Sequence, residues 1–143
     1  MITGKTLDTI EIGETAETSK TIGESDVYLY AGITGDFNPA HINEAYASQT
    51  GFGTRIAHGM LPAGLISAVL ANRLPGPGTI YISQSLKFTA PVRIGDTITA
   101  RVEVIEVDRD KKRVRLKTIC TNQDGTAVIE GEAVVSPPRR PRR

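Results

Sequence analysis

Seven consecutive residues, Gly35-Asp36-Phe37-Asn38-Pro39-Ala40-His41, put a carboxylate and an imidazole close together in the chain. An acid and an imidazole at one spot are the minimum equipment for moving protons. Pro39 biases Asn38 towards extended geometry, so a helix does not run through the segment. On a continuous helix, residues five apart would point roughly 140° from one another. A turn built on Gly35 and Asn38-Pro39 instead folds Asp36 and His41 towards one place. The same residues also allow a plainer reading, in which Asp36 caps a turn and His41 is an ordinary loop residue. The seven residues alone leave both open.

The elements around this turn can be read from patterning. Glu24-Ser25-Asp26 supplies capping chemistry for a helix over about 25–34, which Gly32 and Gly35 end. Asn43 can cap a short helix near 44–49. Residues 59–73 are apolar almost all round, the mark of a buried helix, and Pro62 falls in its first turn, where proline is tolerated. Ala63, Gly64, Ser67, Ala68 and Ala71 give this helix a stripe of small residues along which another element can approach. Leu74-Pro75-Gly76-Pro77-Gly78 stops it. Beyond it the pattern switches to period two, predicting strands near 79–89, 97–107, 113–122 and 127–135. Their connections look like hairpins, so successive strands are expected to be antiparallel neighbours. Weaker strand candidates occupy 3–10 and 14–21. One buried helix with four or five antiparallel strands implies an α+β domain in which a curved sheet wraps the helix, over residues 1–136.

Composition narrows the function. Aromatic residues make up 5% of the chain and tryptophan is absent, which disfavours a stacking platform for single-stranded nucleic acid. No apolar run approaches the ~20 residues of a membrane span, and the N-terminus lacks a signal-peptide core. Cys120 is the single cysteine, sits in a β-branched run and reads as a small buried hydrophobe in a reducing, cytoplasmic setting. The net charge of +1 includes four arginines at 139, 140, 142 and 143, leaving −3 on residues 1–138. The Pro/Arg segment 137–143 has little to bury and reads as a flexible tail. Neither nucleic acid nor a membrane is expected as a partner.

Taken together, Gly35-Asp36-Phe37-Asn38-Pro39-Ala40-His41, Ile56-Ala57-His58-Gly59-Met60 and Pro91-Val92-Arg93-Ile94-Gly95-Asp96 resemble the monofunctional (R)-specific enoyl-CoA hydratases, MaoC-like dehydratases of the hot-dog fold. The likeness covers roughly residues 15–136. It implies a homodimer with a continuous sheet and reversible syn hydration of trans-2-enoyl-CoA to (R)-3-hydroxyacyl-CoA. It also implies Asp36 and His41 as the catalytic pair and the Gly59 backbone N–H as donor to the thioester carbonyl. Ser67 and Asn38 would order the site, and Leu70 and Val135 would set acyl-chain length. No metal or redox cofactor is implied, coenzyme A being part of the substrate. His58 receives no proton-transfer role and reads as helix-entry structure.

The chemistry agrees with these residue types. Hydrating a conjugated thioester needs a base at the water, a proton for Cα and a donor for the enolate-like oxygen. Asp36 and His41 can divide the first two tasks. The N-terminus of the 59–73 helix offers unpaired N–H groups and a positive dipole end for the third. Two rivals stand beside this reading. A hot-dog acyl-CoA thioesterase needs only a carboxylate and leaves His41 unexplained; a non-catalytic acyl-CoA-binding protein would use neither residue for chemistry. Acyl length, and carriage by coenzyme A or by an acyl-carrier protein, are not legible in the residues.

Overall fold

A computed structural model describes residues 2–140 and contains six strands and four helices. The chain opens with β1 (Thr15–Thr21), then α1 (Glu24–Thr34), two single-turn helices α2 (Pro39–Ile42) and α3 (Glu44–Ala47), and α4 (Met60–Asn72). The strands β2 (Ile80–Gln84), β3 (Lys87–Phe88), β4 (Thr97–Asp108), β5 (Arg113–Thr121) and β6 (Ala127–Ser136) follow. They form one antiparallel sheet in the order β1-β4-β5-β6-β2, with β3 also on β6.

The core forms where α4 lies on the curved sheet. Ile66, Val69 and Leu70 of the helix are buried in one cluster with Ile98, Ala100, Val102 and Val104 of β4, Val114 and Leu116 of β5, and Ala133 and Val135 of β6. Along β4 as far as Val104, and along β5, every second residue is buried, the period expected of a sheet with one covered face. α4 matches the expected 59–73 helix, with Gly59 as its N-cap and Arg73 as its C-cap.

Cys120 behaves as a core residue. It is fully buried, its Sγ lies 3.9 Å from the Pro62 carbonyl oxygen, and burial pushes its thiol pKa up to about 12. Because the thiolate is the reactive form, a thiol reagent such as 5,5′-dithiobis(2-nitrobenzoate) is expected to leave the native protein unlabelled and to titrate one thiol in guanidinium. Stoichiometric labelling of native protein within minutes would contradict this.

Four expectations are corrected. Residues 3–10 form no strand: Gly4 and Lys5 donate their N–H groups to the Pro77 and Pro75 carbonyls, and the chain then turns from Thr6 to Ile10. The 79–89 strand is broken between Gln84 and Lys87 into β2 and β3. β3 and β4 are not hairpin neighbours, because β1 takes the free side of β4 while β2 and β3 take the free side of β6. The folded body also extends beyond 136. Pro137 and Pro138 are buried, Pro138 lies over Gly78, and exposed Arg140 pairs with Asp8 at 3.1 Å. The rest of the arginine tail, 141–143, lies outside the described residues.

Candidate active site

α1 ends at Gly35, whose φ of 79° is the left-handed conformation that glycine adopts without strain. The chain then makes two nested side-chain turns. Asp36 Oδ1 accepts the Asn38 N–H at 3.2 Å, and Asn38 Oδ1 accepts the Ala40 N–H at 3.0 Å. The second bond caps α2, with Pro39 at its first helical position, where a missing N–H costs nothing. Asn38 therefore orders the turn through its own side chain. His41 falls on this single helical turn and faces back towards Asp36.

A second segment, 54–58, is clamped onto the first. The Arg55 guanidinium meets Glu24 of α1 at 2.7 Å and Glu44 of α3 at 3.0 Å, and donates to the Tyr28 hydroxyl at 2.7 Å. The Arg55 guanidinium, with the Tyr28 hydroxyl, holds the Glu24 carboxyl below the usual glutamate range, and the Thr54 hydroxyl, followed by the Arg55 backbone N–H, does the same for Glu44. The Ile56 N–H donates to the Ala40 carbonyl and the Ala57 N–H to the Val92 carbonyl. The segment is thus laced to α2 on one side and to the β3–β4 connection on the other.

This lacing fixes the imidazoles. His41 Nδ1 lies 2.7 Å from the Ile56 carbonyl oxygen, which can only accept, so Nδ1 carries the ring proton and Nε2 presents a lone pair. One ligating atom each from Asp36, His41 and His58 lie within 4.8 Å of one another. A carboxylate oxygen and an imidazole nitrogen at such a separation can share one water, with a hydrogen bond of ~2.8 Å to each. His58 Nε2 lies 2.9 Å from the Asp36 carbonyl oxygen, and the His41 and His58 ring centroids are 3.9 Å apart with their planes tilted by 30°.

His41 lines a cavity of about 370 Å³ between the start of α4 and the 88–92 segment, with Phe52, Gly59, Phe88, Val92 and Ile129 among its walls. That is a size typical of small-molecule sites. Gly59 reaches the same cavity at the helix N-terminus, where its N–H has no backbone acceptor among the described residues. A Cβ on Gly59 would meet the Phe88 ring at 2.9 Å, so the glycine accommodates an aromatic wall of the cavity.

Asp36, Asn38, His41 and Gly59 therefore gather as a group. Ser67, Leu70 and Val135 do not join them. Ser67 is exposed on α4, and no hydrogen bond joins it to Asp36 or His41 among the described residues. Leu70 and Val135 are fully buried in the core and do not line the cavity, whose apolar wall comes from Phe52, Phe88, Val92 and Ile129. Both belong to the core cluster between α4 and the sheet. His58 is the residue the sequence reading undervalued. Its side chain enters the site while its backbone serves the helix start, and the one available signal was that the chain has only two histidines.

Comparison with known proteins places the site in context. Residues 7–126 match the MaoC like domain. The chain is 61% identical over 131 residues to an (R)-specific enoyl-CoA hydratase of Rhodospirillum rubrum, spanning 92% of this chain and 90% of that protein. Its structure is similar to the unliganded R-hydratase PhaJ1 of Pseudomonas aeruginosa, with a TM-score of 0.92 and 45% identity over 97% of this chain and 89% of that one. It is also similar to the (R)-hydratase of A. caviae involved in PHA biosynthesis, with a TM-score of 0.88 and 44% identity over 90% of this chain and 98% of that one.

Proposed function

The chain belongs to the MaoC-like domain family and has its hot-dog fold, and on that premise we propose that it is an enoyl-CoA hydratase acting (R)-specifically on trans-2-enoyl-CoA in acyl-CoA metabolism. The observation that carries the proposal is the His41 ring, held by the Ile56 carbonyl at the wall of the cavity, with a ring nitrogen within 4.8 Å of an Asp36 carboxylate oxygen.

In the proposed mechanism the Asp36 carboxylate accepts a hydrogen bond from a water, and His41 Nε2 takes the water's other proton as the oxygen bonds to Cβ of the enoyl thioester. Electron density moves to the thioester oxygen, where the Gly59 N–H and the positive end of α4 stabilise it. The proton on His41 Nε2 is then delivered to Cα from the same face, which gives syn addition and returns the ring to its starting tautomer. One water and one enoyl thioester are consumed, and both catalytic side chains return to their starting states. A thioesterase would need the same cavity but would leave the ordered His41 without a task.

Crotonyl-CoA separates these readings. Loss of the enoyl absorbance without release of free thiol supports hydration. Free thiol released in step with substrate loss would overturn it in favour of hydrolysis, and the absence of any turnover would favour a pure binder.

The protein is further proposed to be a cytoplasmic homodimer. No helix among the described residues is long and apolar enough to cross a membrane. β2 is a sheet edge carrying exposed Ile80, Tyr81 and Ile82, and α4 exposes Gly64, Ser67 and Ala71 as a stripe of small residues. A second copy paired at that edge would remove the unpaired strand and cover its apolar side chains. Any ordering role of Ser67 would then be exerted in the dimer. Light scattering at micromolar concentration is expected to give twice the chain mass for the wild type and the chain mass for Ile82→Lys. A monomeric wild type would contradict the dimer, and a dimeric Ile82→Lys would contradict this edge.

A further inference from the structure

His58 is 2% exposed, and with Thr118 it is one of two buried polar side chains among the described residues. Its Nδ1 is the only buried side-chain nitrogen or oxygen among the described residues that has no hydrogen-bond partner. An unpaired buried acceptor is destabilising, and an apolar ring of similar size would avoid that cost. Helix entry does not explain it either. The His58 backbone carbonyl accepts the Leu61 N–H at 3.0 Å, a bond that any residue could make. The imidazole therefore needs another reason to be there.

Its contacts supply one. Nε2 lies 2.9 Å from the Asp36 backbone oxygen, which can only accept, so the ring carries its proton on Nε2 and leaves Nδ1 as the orphaned lone pair. The same ring stacks on His41 with centroids 3.9 Å apart and planes 30° apart, and it packs against Tyr30 at 4.7 Å on a tilted ring. In the chain it immediately precedes Gly59. One buried side chain thus touches the backbone of the acid and the ring of the base, and adjoins the residue bearing the free N–H.

We propose that His58 is a positioning residue that sets the distance between the Asp36 carboxylate and His41 Nε2. The inference rests on the hydratase reading above. The hydrogen bond holds Asp36 at the lip of the turn, which among the described residues makes no other hydrogen bond to the His58–α4 segment. The stacked face holds the His41 ring plane, whose Nδ1 bond alone leaves it free to tilt about the N–H···O axis. Of the two, the hydrogen bond sets the distance: its loss lets the two groups drift apart, and a water held between them then no longer sits over the reacting carbon. A displacement of about 1 Å can lower a rate by about 100-fold.

Two substitutions separate the constraints. His58→Phe keeps a flat ring for stacking but removes the donor to Asp36, whereas His58→Gln keeps an N–H at the Nε2 position. On crotonyl-CoA, His58→Phe is expected to lower kcat by about 10- to 100-fold with KM changed less than about 3-fold, and His58→Gln to recover to within about 5-fold of wild type. In a His41→Gln background, adding His58→Phe should cost nothing further, because a positioning residue has nothing left to position. Wild-type kcat in His58→Phe, or a His58→Gln no better than His58→Phe, would overturn the inference. So would a further fall in the double variant equal to that in the single one. If His58→Phe does not fold, the decision passes to His58→Gln, with near-wild-type kcat supporting the inference and a loss of 10-fold or more overturning it. A wild-type protein that does not hydrate crotonyl-CoA would instead defeat the hydratase reading itself, so the two failures are distinguishable.

Discussion

Asp36→Asn and His41→Gln should each lower kcat for crotonyl-CoA hydration by about 1,000-fold or more while leaving thermal unfolding within about 2 °C of wild type. The size follows from the tasks assigned. General acid–base catalysis contributes about 100- to 10,000-fold, and here one base both accepts the water's proton and returns it to carbon. Asparagine keeps a side-chain oxygen that can accept the Asn38 N–H, so the turn survives while the negative charge is lost. Glutamine at 41 retains an amide near the Ile56 carbonyl but offers no basic nitrogen. Neither residue belongs to the core: Asp36 is exposed and His41 half-buried, so stability should barely change. The double variant should be scarcely worse than either single one, as expected of residues acting as a unit. Activity within 10-fold of wild type in either single variant, measured by loss of enoyl absorbance, would remove that residue from the mechanism.

Gly131→Val should have the largest effect on stability, an expected loss of about 3 kcal/mol and a fall in Tm of about 10 °C. Strand propensity argues the other way, since valine is preferred over glycine in a strand by up to about 1 kcal/mol. Packing decides the sign. Gly131 of β6 sits where the chain crosses from β2 to β3, and a Cβ there would overlap the Ser85 carbonyl oxygen and lie 2.8 Å from its carbon. The obstacle is backbone, held by the Ser85 N–H donating to the Glu132 carbonyl at 2.9 Å and by the Glu132 N–H donating to Ser85 Oγ at 3.0 Å. A valine can be admitted only by separating β6 from the β2–β3 edge. That edge runs on to Phe88 and the cavity wall, so KM should rise along with the loss of stability. Differential scanning calorimetry showing an unchanged or higher Tm would contradict the packing argument.

The contrast between Gly131 and the long strands explains what was legible in the sequence. In β4 the alternation of Ile98, Ala100, Val102 and Val104 with polar residues is a local signal, and it announced the strand and its buried face together. α4 was equally plain, because a run of apolar residues ended by Leu74-Pro75-Gly76 has few other destinations. Strand pairing is not local. Nothing between 89 and 97 states that β1, some eighty residues earlier, will lie beside β4, so the hairpin expected there was wrong. The break in 79–89 falls where Ser85 closely approaches Gly131, a contact between segments far apart in sequence.

The site divides in the same way. Gly35, Asp36, Asn38, Pro39 and His41 write their own turn, since each bond spans two or three residues. His58 meets them only because Arg55 draws the 54–58 segment against α1 and α3, which no local pattern shows. Resemblance puts Leu70 and Val135 at the acyl pocket, whereas the folded chain places both in the core and draws the cavity wall from other residues. Burial of Pro138 is likewise not legible locally, because it packs over Gly78, sixty residues earlier in the chain.

The most direct test of the account is chiral analysis of the 3-hydroxybutyryl-CoA formed from crotonyl-CoA, run alongside an assay for free thiol. Hydration with no thiol release is expected, with a product that is entirely (R), formed by wild type and lost together in Asp36→Asn and His41→Gln. An (S) product, or thiol released in step with substrate loss, would contradict it.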